Sequence, residues 1–167
     1  LWDRDVDGRV ARTRARPLVS GAVTPVRAVG FLGAQLSLGL GVLLAVPHGD
    51  LVFPLAAASL PLVAAYPRAK RYTAYPQLVL GATFNWGALV GYAAATGHLD
   101  PWIVLPLYAG GACWTMVYDT LYAHQDRDDD AKLGLYSTAR TFGEERTRPV
   151  LYRWAGGFAT CLVATGV

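Results

Sequence analysis

The chain has 167 residues, of which 53% are hydrophobic and only 16% charged, against roughly 25% charged in an average globular protein. The charges are segregated: Asp50 is the only formal charge between Val29 and Tyr66, and Asp100 the only one between Thr73 and Tyr118. Stretches of that length without a polar face exclude a soluble all-α protein, which has too few polar residues here to cover it. They predict an all-α, multi-span transmembrane helical bundle, with residues 1–167 forming one membrane-embedded domain.

The opening LWDRDVDGRVARTRARPL holds an acidic cluster, Asp3, Asp5 and Asp7. Asp3 and Asp7 are four apart and share a face if helical, whereas Asp5 points elsewhere. A first apolar span is predicted over 26–46. The second, 51–66, is short and carries Pro54 and Pro61, which predict a kink or tilt. A short basic loop follows, with Arg68, Lys70 and Arg71.

The third span, 77–96, has Asn85 and Trp86 at mid-depth. A polar side chain there faces the bundle interior or a cavity, so Asn85 either bonds a neighbouring helix or lines a substrate pocket. The fourth span, 101–118, runs into a second acidic cluster, YDTLYAHQDRDDDAKLG. Asp119, Tyr122, Asp126 and Asp130 are spaced by three, four and four, which predicts one helical stripe prolonging the span. A last apolar segment begins at 150.

The chain starts Leu-Trp-Asp and ends inside an apolar run, so it reads as a fragment truncated at both ends. Cys113 and Cys161 lie in apolar segments and are expected to be free thiols, with neither metal spacing nor a disulfide framework.

Loop charges suggest a topology. Of fifteen Lys and Arg, five precede Pro17, three lie in 68–71 and five in 127–148. The connections at His48-Gly49-Asp50 and at Gly97-His98-Leu99-Asp100 contain none. With one crossing per segment, the basic loops share one side and the bare loops the other, as the positive-inside rule requires. Both acidic clusters and the 68–71 loop then belong to the same membrane face.

Grouped carboxylates bind hard cations, and Mg²⁺ is usually held by one or two carboxylates plus substrate phosphates. A lone DRDDD would read as a solvated acidic loop. Two clusters on one face, each beside a span, point instead to diphosphate chemistry at a bilayer surface. Lys70 and Arg71 serve either topology or phosphate binding. His124 adjoins the second cluster and is not expected to be catalytic. A divalent-cation transporter would want carboxylates along a pore inside the spans, and the span interiors have none. No nucleic-acid partner is expected.

At these residues the chain resembles the UbiA family of intramembrane prenyltransferases. LWDRDVD followed by RTRARPLVSG is similar to the later part of the family's first motif, N-D-x-x-D-x-x-x-D. YDTLYAHQDRDDD, continuing into GLYSTARTFG, is similar to the second, Y-D-x-x-Y-A-x-x-D-x-x-D-D. Within the family, YPRAKRYTAYPQLVLGATFNWGALVGY and LPLYAGGACWTMVYDTLYAHQD look like the 4-hydroxybenzoate branch of ubiquinone synthesis.

The resemblance covers nearly the whole chain. It implies a UbiA-like bundle with about five of nine helices present. It implies Mg²⁺-dependent transfer of a polyprenyl group from polyprenyl diphosphate to 4-hydroxybenzoate, ortho to the hydroxyl. Other acceptors within the family (homogentisate, a naphthoate, chlorophyllide, haem) are the alternative. The implied setting is a lipid bilayer, either the mitochondrial inner membrane with a matrix-facing site or a bacterial inner membrane with a cytoplasm-facing one. The implied metal and catalytic residues are Asp3, Asp7, Asp126 and Asp130, with Asp119 as a further metal ligand. Lys70 and Arg71 are implied for the diphosphate. Arg16 is implied for the benzoate carboxylate, and Asn85 and Tyr122 as further substrate contacts.

Overall fold

The computed structural model describes residues 4–10 and 13–166, which fall into two compact units, 1–46 and 47–167. Among the described residues the regular structure is entirely helical.

In the first unit, α1 (Arg4–Asp7) is a single turn. Residues 13–23 continue as successive turns, with Arg16 N donating to Thr13 O and Ser20 N to Arg16 O. Thr24 then caps α2 (Pro25–Ala45), its hydroxyl accepting from Arg27 N while Pro25 occupies the first turn. Proline fits there because its missing N–H has no partner in any first turn. The helix stops at Val46, whose extended backbone precedes Pro47. Along α2 no residue is buried, and Phe31, Leu36 and Leu38 are exposed, as expected of a helix that meets lipid.

The second unit contains α3 (Gly49–Ala57), α4 (Leu60–Tyr72), α5 (Pro76–Phe84), α6 (Trp86–Thr96), α7 (Pro101–Ala123), α8 (Arg127–Lys132) and α9 (Thr138–Ala164). α7 is central and packs on α9, α5 and α6; α4 lies on α5, and α3 on α6. Met116, Ala93, Val52 and Ala139 are fully buried in this core.

Three stretches are long and apolar enough to cross a membrane, Pro25–Ala45, Gly49–Tyr72 and Pro76–Thr96. They coincide with the first three predicted spans. α7 and α9 occupy the positions of the fourth and fifth.

Several boundaries differ from the sequence reading. The second span is broken between α3 and α4, where Pro61 enters the first turn of a new helix. It also extends to Tyr72, so Lys70 and Arg71 stand in the last helical turn and not in a loop. Cations there complement the negative end of the helix dipole, which favours the extension. The third span is interrupted at Asn85, between α5 and α6. The last helix begins well before residue 150 and bends at Gly143, whose φ of 67° and ψ of −176° are not helical.

Candidate active site

Lys70 and Asp130 are sixty positions apart in sequence, and the second unit brings them together. Lys70 Nζ lies 3.9 Å from Asp130 Oδ2, an ion-pair separation too long for a hydrogen bond. Asp130 is 3% exposed, and its Oδ2 is a buried oxygen without a hydrogen-bond partner. Burial pushes the Asp130 carboxyl above its usual range; Lys70 opposes the shift and neighbouring Asp126 adds to it.

The rest of DRDDD is less buried, and two of its members are paired with charges outside this centre. Arg127 pairs with Glu144 at 2.9 Å, and Lys132 with Asp129 at 3.1 Å. Asp128 is exposed. Asp130 alone among the three consecutive aspartates is turned inward.

The segment 133–138 crosses this end of the unit and is fastened on both flanks. Tyr136 N donates to Lys70 O at 2.8 Å, and Thr138 N donates to Gln77 Oε1 at 3.2 Å. The hydroxyls of Thr120 and Thr138 share a buried hydrogen bond of 2.7 Å. Arg140 donates from Nη1 to the carbonyls of Asp130 and Leu135, which fixes the backbone that presents the carboxylate. The half-buried Asp119, one residue before Thr120, lies near the Gln77 side chain and within the field of Lys70.

The ends of α4 and α7 and the starts of α5 and α9 therefore meet around Asp119, Asp130 and Lys70. The predicted stripe does not continue as one helix. α7 ends at Ala123, and residues 124–126 turn before α8. His124 Nε2 meets Thr147 Oγ1 at 3.1 Å, a structural contact that holds this turn to α9. Asp126 begins α8 at its N-cap position, half-buried, and exposed Tyr122 stays behind on α7.

Asp3 lies outside the described residues. In the first unit, Arg16 Nη1 contacts both oxygens of Asp7 at 2.8 Å. The sequence reading gave Asp7 to Mg²⁺ and Arg16 to a benzoate carboxylate; the structure pairs them with each other, because cation and anion sit on adjoining turns. Both line an open cleft of ≈ 620 Å³ with Leu18, Val23, Arg27 and Phe31.

Asn85 makes the helix–helix bond that was one of its two expected roles. Its Nδ2 donates to Gly81 O at 2.8 Å and to Thr115 Oγ1 at 3.0 Å. Trp86 Nε1 donates to Leu55 O at 2.9 Å, which ties α6 to α3.

Among the described residues no three His, Cys, Asp or Glu side chains form a ready metal cage. Magnesium does not need one, since phosphate oxygens and water complete its octahedron. The orphaned Oδ2 of Asp130, near Asp126 and Lys70, fits one carboxylate ligand of such an ion beside a cationic side chain.

Gln77 and Arg140 were not singled out in the sequence. Gln77 carried one signal: it is a polar residue opening an apolar span, and it is 1% exposed.

Fold and site together define a class: an all-helical membrane protein with a buried carboxylate and a lysine at one end of its helices. The family model of the UbiA prenyltransferase family matches residues 1–167, and the chain belongs to that family. It is 53% identical over 163 residues to "4-hydroxybenzoate polyprenyltransferase, mitochondrial" of Aedes aegypti, covering 98% of this chain and 35% of the relative. The proteins of that name from Arabidopsis thaliana and Homo sapiens are 51% and 48% identical over 163 residues, again 98% of this chain, and 38% and 42% of theirs. The chain thus spans about two fifths of the length of these curated relatives. Among solved structures, the apo structure of a UbiA homolog from Aeropyrum pernix K1 matches with a TM-score of 0.82 at 26% identity. That match covers 99% of this chain and 64% of the homolog.

Proposed function

We propose that the protein carrying this chain transfers a polyprenyl group from polyprenyl diphosphate to carbon 3 of 4-hydroxybenzoate, ortho to the hydroxyl. The observation that carries this reading is the buried Asp130 with its unpartnered oxygen, set beside Lys70 at the polar ends of apolar helices. The names of the relatives, at about half identity over nearly the whole chain, support the acceptor.

In this reading the allylic C–O bond to diphosphate breaks and diphosphate departs with the electron pair. The ring carbon forms the new C–C bond and then loses its proton. Asp126, Asp130 and Asp119 would hold Mg²⁺, the role that the motif also gives to Asp3 and Asp7. Bound Mg²⁺ supplies the charge that makes diphosphate a competent leaving group. Lys70 donates to a diphosphate oxygen through its ammonium, and Arg71 is assigned to the same group; both supply charge where it develops. The 133–138 segment, fastened at both flanks, keeps water from the allylic cation. Arg16 is left as the partner of Asp7. The apolar helices suit an integral protein of the mitochondrial inner membrane, with the site toward the matrix.

The test is an assay of the complete protein in detergent or vesicles with labelled 4-hydroxybenzoate, a polyprenyl diphosphate and Mg²⁺. A lipid-soluble labelled product, reduced about 100-fold or more by Asp126→Ala, is expected. No such product, or product unaffected by the substitution, overturns the proposal.

A further inference from the structure

The second unit carries an open groove of ≈ 600 Å³ between α5, α7 and α9, lined by none of the residues that the proposed reaction uses. Its walls are graded along the helices. Tyr75, just before α5, and Phe142, in the early turns of α9, close one end with their rings 5.9 Å apart. Thr141 Oγ1 donates to Ala74 O at 3.0 Å and ties the same two segments together. Loop charge assigns this end to the basic side of the membrane. Further along, Leu78, Cys113, Trp154 and Gly157 make the groove apolar. A Cβ on Gly157 would lie 3.3 Å from Cys113 Sγ, so α7 and α9 are close at its floor.

Arg153 is the one charged residue lining this groove, and no carboxylate lines it. The side chain is exposed, and among the described residues it forms no ion pair. It stands five residues after Arg148, about 7 Å deeper along the helix. At that level the aliphatic stem lies along apolar surface while the guanidinium reaches back to the headgroup layer. A planar guanidinium there suits a phosphate oxygen pair, and basic segments face the leaflet whose lipids carry negative charge.

A cation near the surface with an apolar, aromatic body beneath it matches the polarity of a phospholipid, phosphate outward and acyl chain inward. A wholly apolar helix laid over the same groove would instead bury Arg153 without a counter-charge, which is costly. We propose that this groove is a binding site for an anionic phospholipid. Its phosphate sits on Arg153, one acyl chain runs along Leu78, Trp154 and Gly157, and the bound lipid braces the junction of α5 with α9. The site is independent of the transfer reaction and is tested without it.

The experiment titrates the complete protein, in neutral detergent, with phosphatidylglycerol or with phosphatidylcholine of identical acyl chains. Binding is read from the rise in melting temperature. Phosphatidylglycerol is expected to stabilise the parent at lower concentration than phosphatidylcholine. Arg153→Gln is expected to weaken phosphatidylglycerol about fivefold, the worth of one basic residue at a membrane surface, and to leave phosphatidylcholine unchanged. Leu78 is 39% exposed, so Leu78→Trp narrows the groove without entering the core, and it is expected to weaken both lipids. Inorganic phosphate is expected to give no rise.

Equal responses of the parent to the two lipids overturn the proposal, and are the result if another helix or a second copy of the chain fills the groove. An undiminished phosphatidylglycerol preference in Arg153→Gln overturns it too. Parental binding in Leu78→Trp would reduce Arg153 to general surface attraction, and stabilisation by phosphate alone would make the site one for a free anion. Displacement of phosphatidylglycerol by a polyprenyl thiodiphosphate would give the groove to substrate. A parent that binds lipid as expected but makes no prenylated hydroxybenzoate overturns the proposed function alone.

Discussion

Asp130 keeps a carboxylate where solvent barely reaches it. Desolvating a charge is costly unless it is paired and hydrogen-bonded, and Lys70 at 3.9 Å does not close the gap with a hydrogen bond. Such a group is retained for what it binds. Asp130→Asn should therefore have two opposite effects. Transfer activity should fall about 100-fold or more, while the metal-free protein gains stability of about 1 kcal/mol, a rise in melting temperature of roughly 2–4 °C. Calorimetry in chelator alongside the transfer assay checks both, and a destabilised variant would show that Asp130 is structural. Lys70 makes a second case. Lys70→Met should raise KM for polyprenyl diphosphate about tenfold, or about 1.4 kcal/mol, and Lys70→Arg should recover most of it. Equal KM in all three would remove Lys70 from the diphosphate. The types of these two residues were legible in the sequence, because a carboxylate cluster and a basic pair beside apolar spans have few uses. Which aspartate turns inward was not. Asp128, Asp129 and Asp130 look alike in the chain, and only the pairing of Asp129 with Lys132 and the burial of Asp130 separate them. Gln77 was illegible for the same reason: its partner, the Thr138 N–H, is 61 positions away.

Apolar runs gave the helices at the scale of elements, and breaks within the runs gave the differences. A span read from hydropathy is a single rod, because Asn85 hardly changes an average over twenty residues. In the structure Asn85 ends α5, starts α6 and reaches across to Thr115. That reach is possible because Gly111 of α7 has no side chain: a Cβ there would collide with Asn85 Oδ1 and lie 3.1 Å from Asn85 Cβ. Gly111→Ala should therefore cost about 1–3 kcal/mol, the usual penalty for overpacking a close contact. Adding Asn85→Ala should restore part of the loss by emptying the space. Melting temperatures of the single and double variants decide this, and a neutral Gly111→Ala would mean that α7 stands further off. At Gly143 the constraint is conformational. Its φ of 67° with ψ near 180° is a region that essentially only glycine enters. Gly143→Ala should straighten α9 or destabilise it by about 1–3 kcal/mol. Circular dichroism and thermal melts distinguish it from the harmless Gly156→Ala, whose added Cβ meets open space.

Across the whole molecule, loop charge carries information that no single element does. The positive-inside count assigned the bare connections near His48 and His98 to one membrane side without reference to packing. Within the second unit the two are neighbours: a Cβ on Gly97 would lie 2.8 Å from the His48 ring. At the opposite ends of the helices, Lys70 meets Asp130 and the 133–138 segment. Charge bias and packing are independent here, one arising from insertion into the bilayer and the other from contacts after folding. Their agreement leads to a prediction about orientation. In a background with Cys113 and Cys161 replaced by Ser, single cysteines at His98 and at Lys132 should be labelled by a membrane-impermeant maleimide from opposite sides. Lys132 should react only from the matrix or cytoplasmic side, and a cysteine at Arg68 should follow Lys132. Position 68 is exposed near the end of α4, so its label reports the side on which that helix ends. Labelling of 68 and 132 from opposite sides would separate Lys70 from Asp130 across the bilayer. The proposed diphosphate site could not then exist, whatever the activity of the preparation.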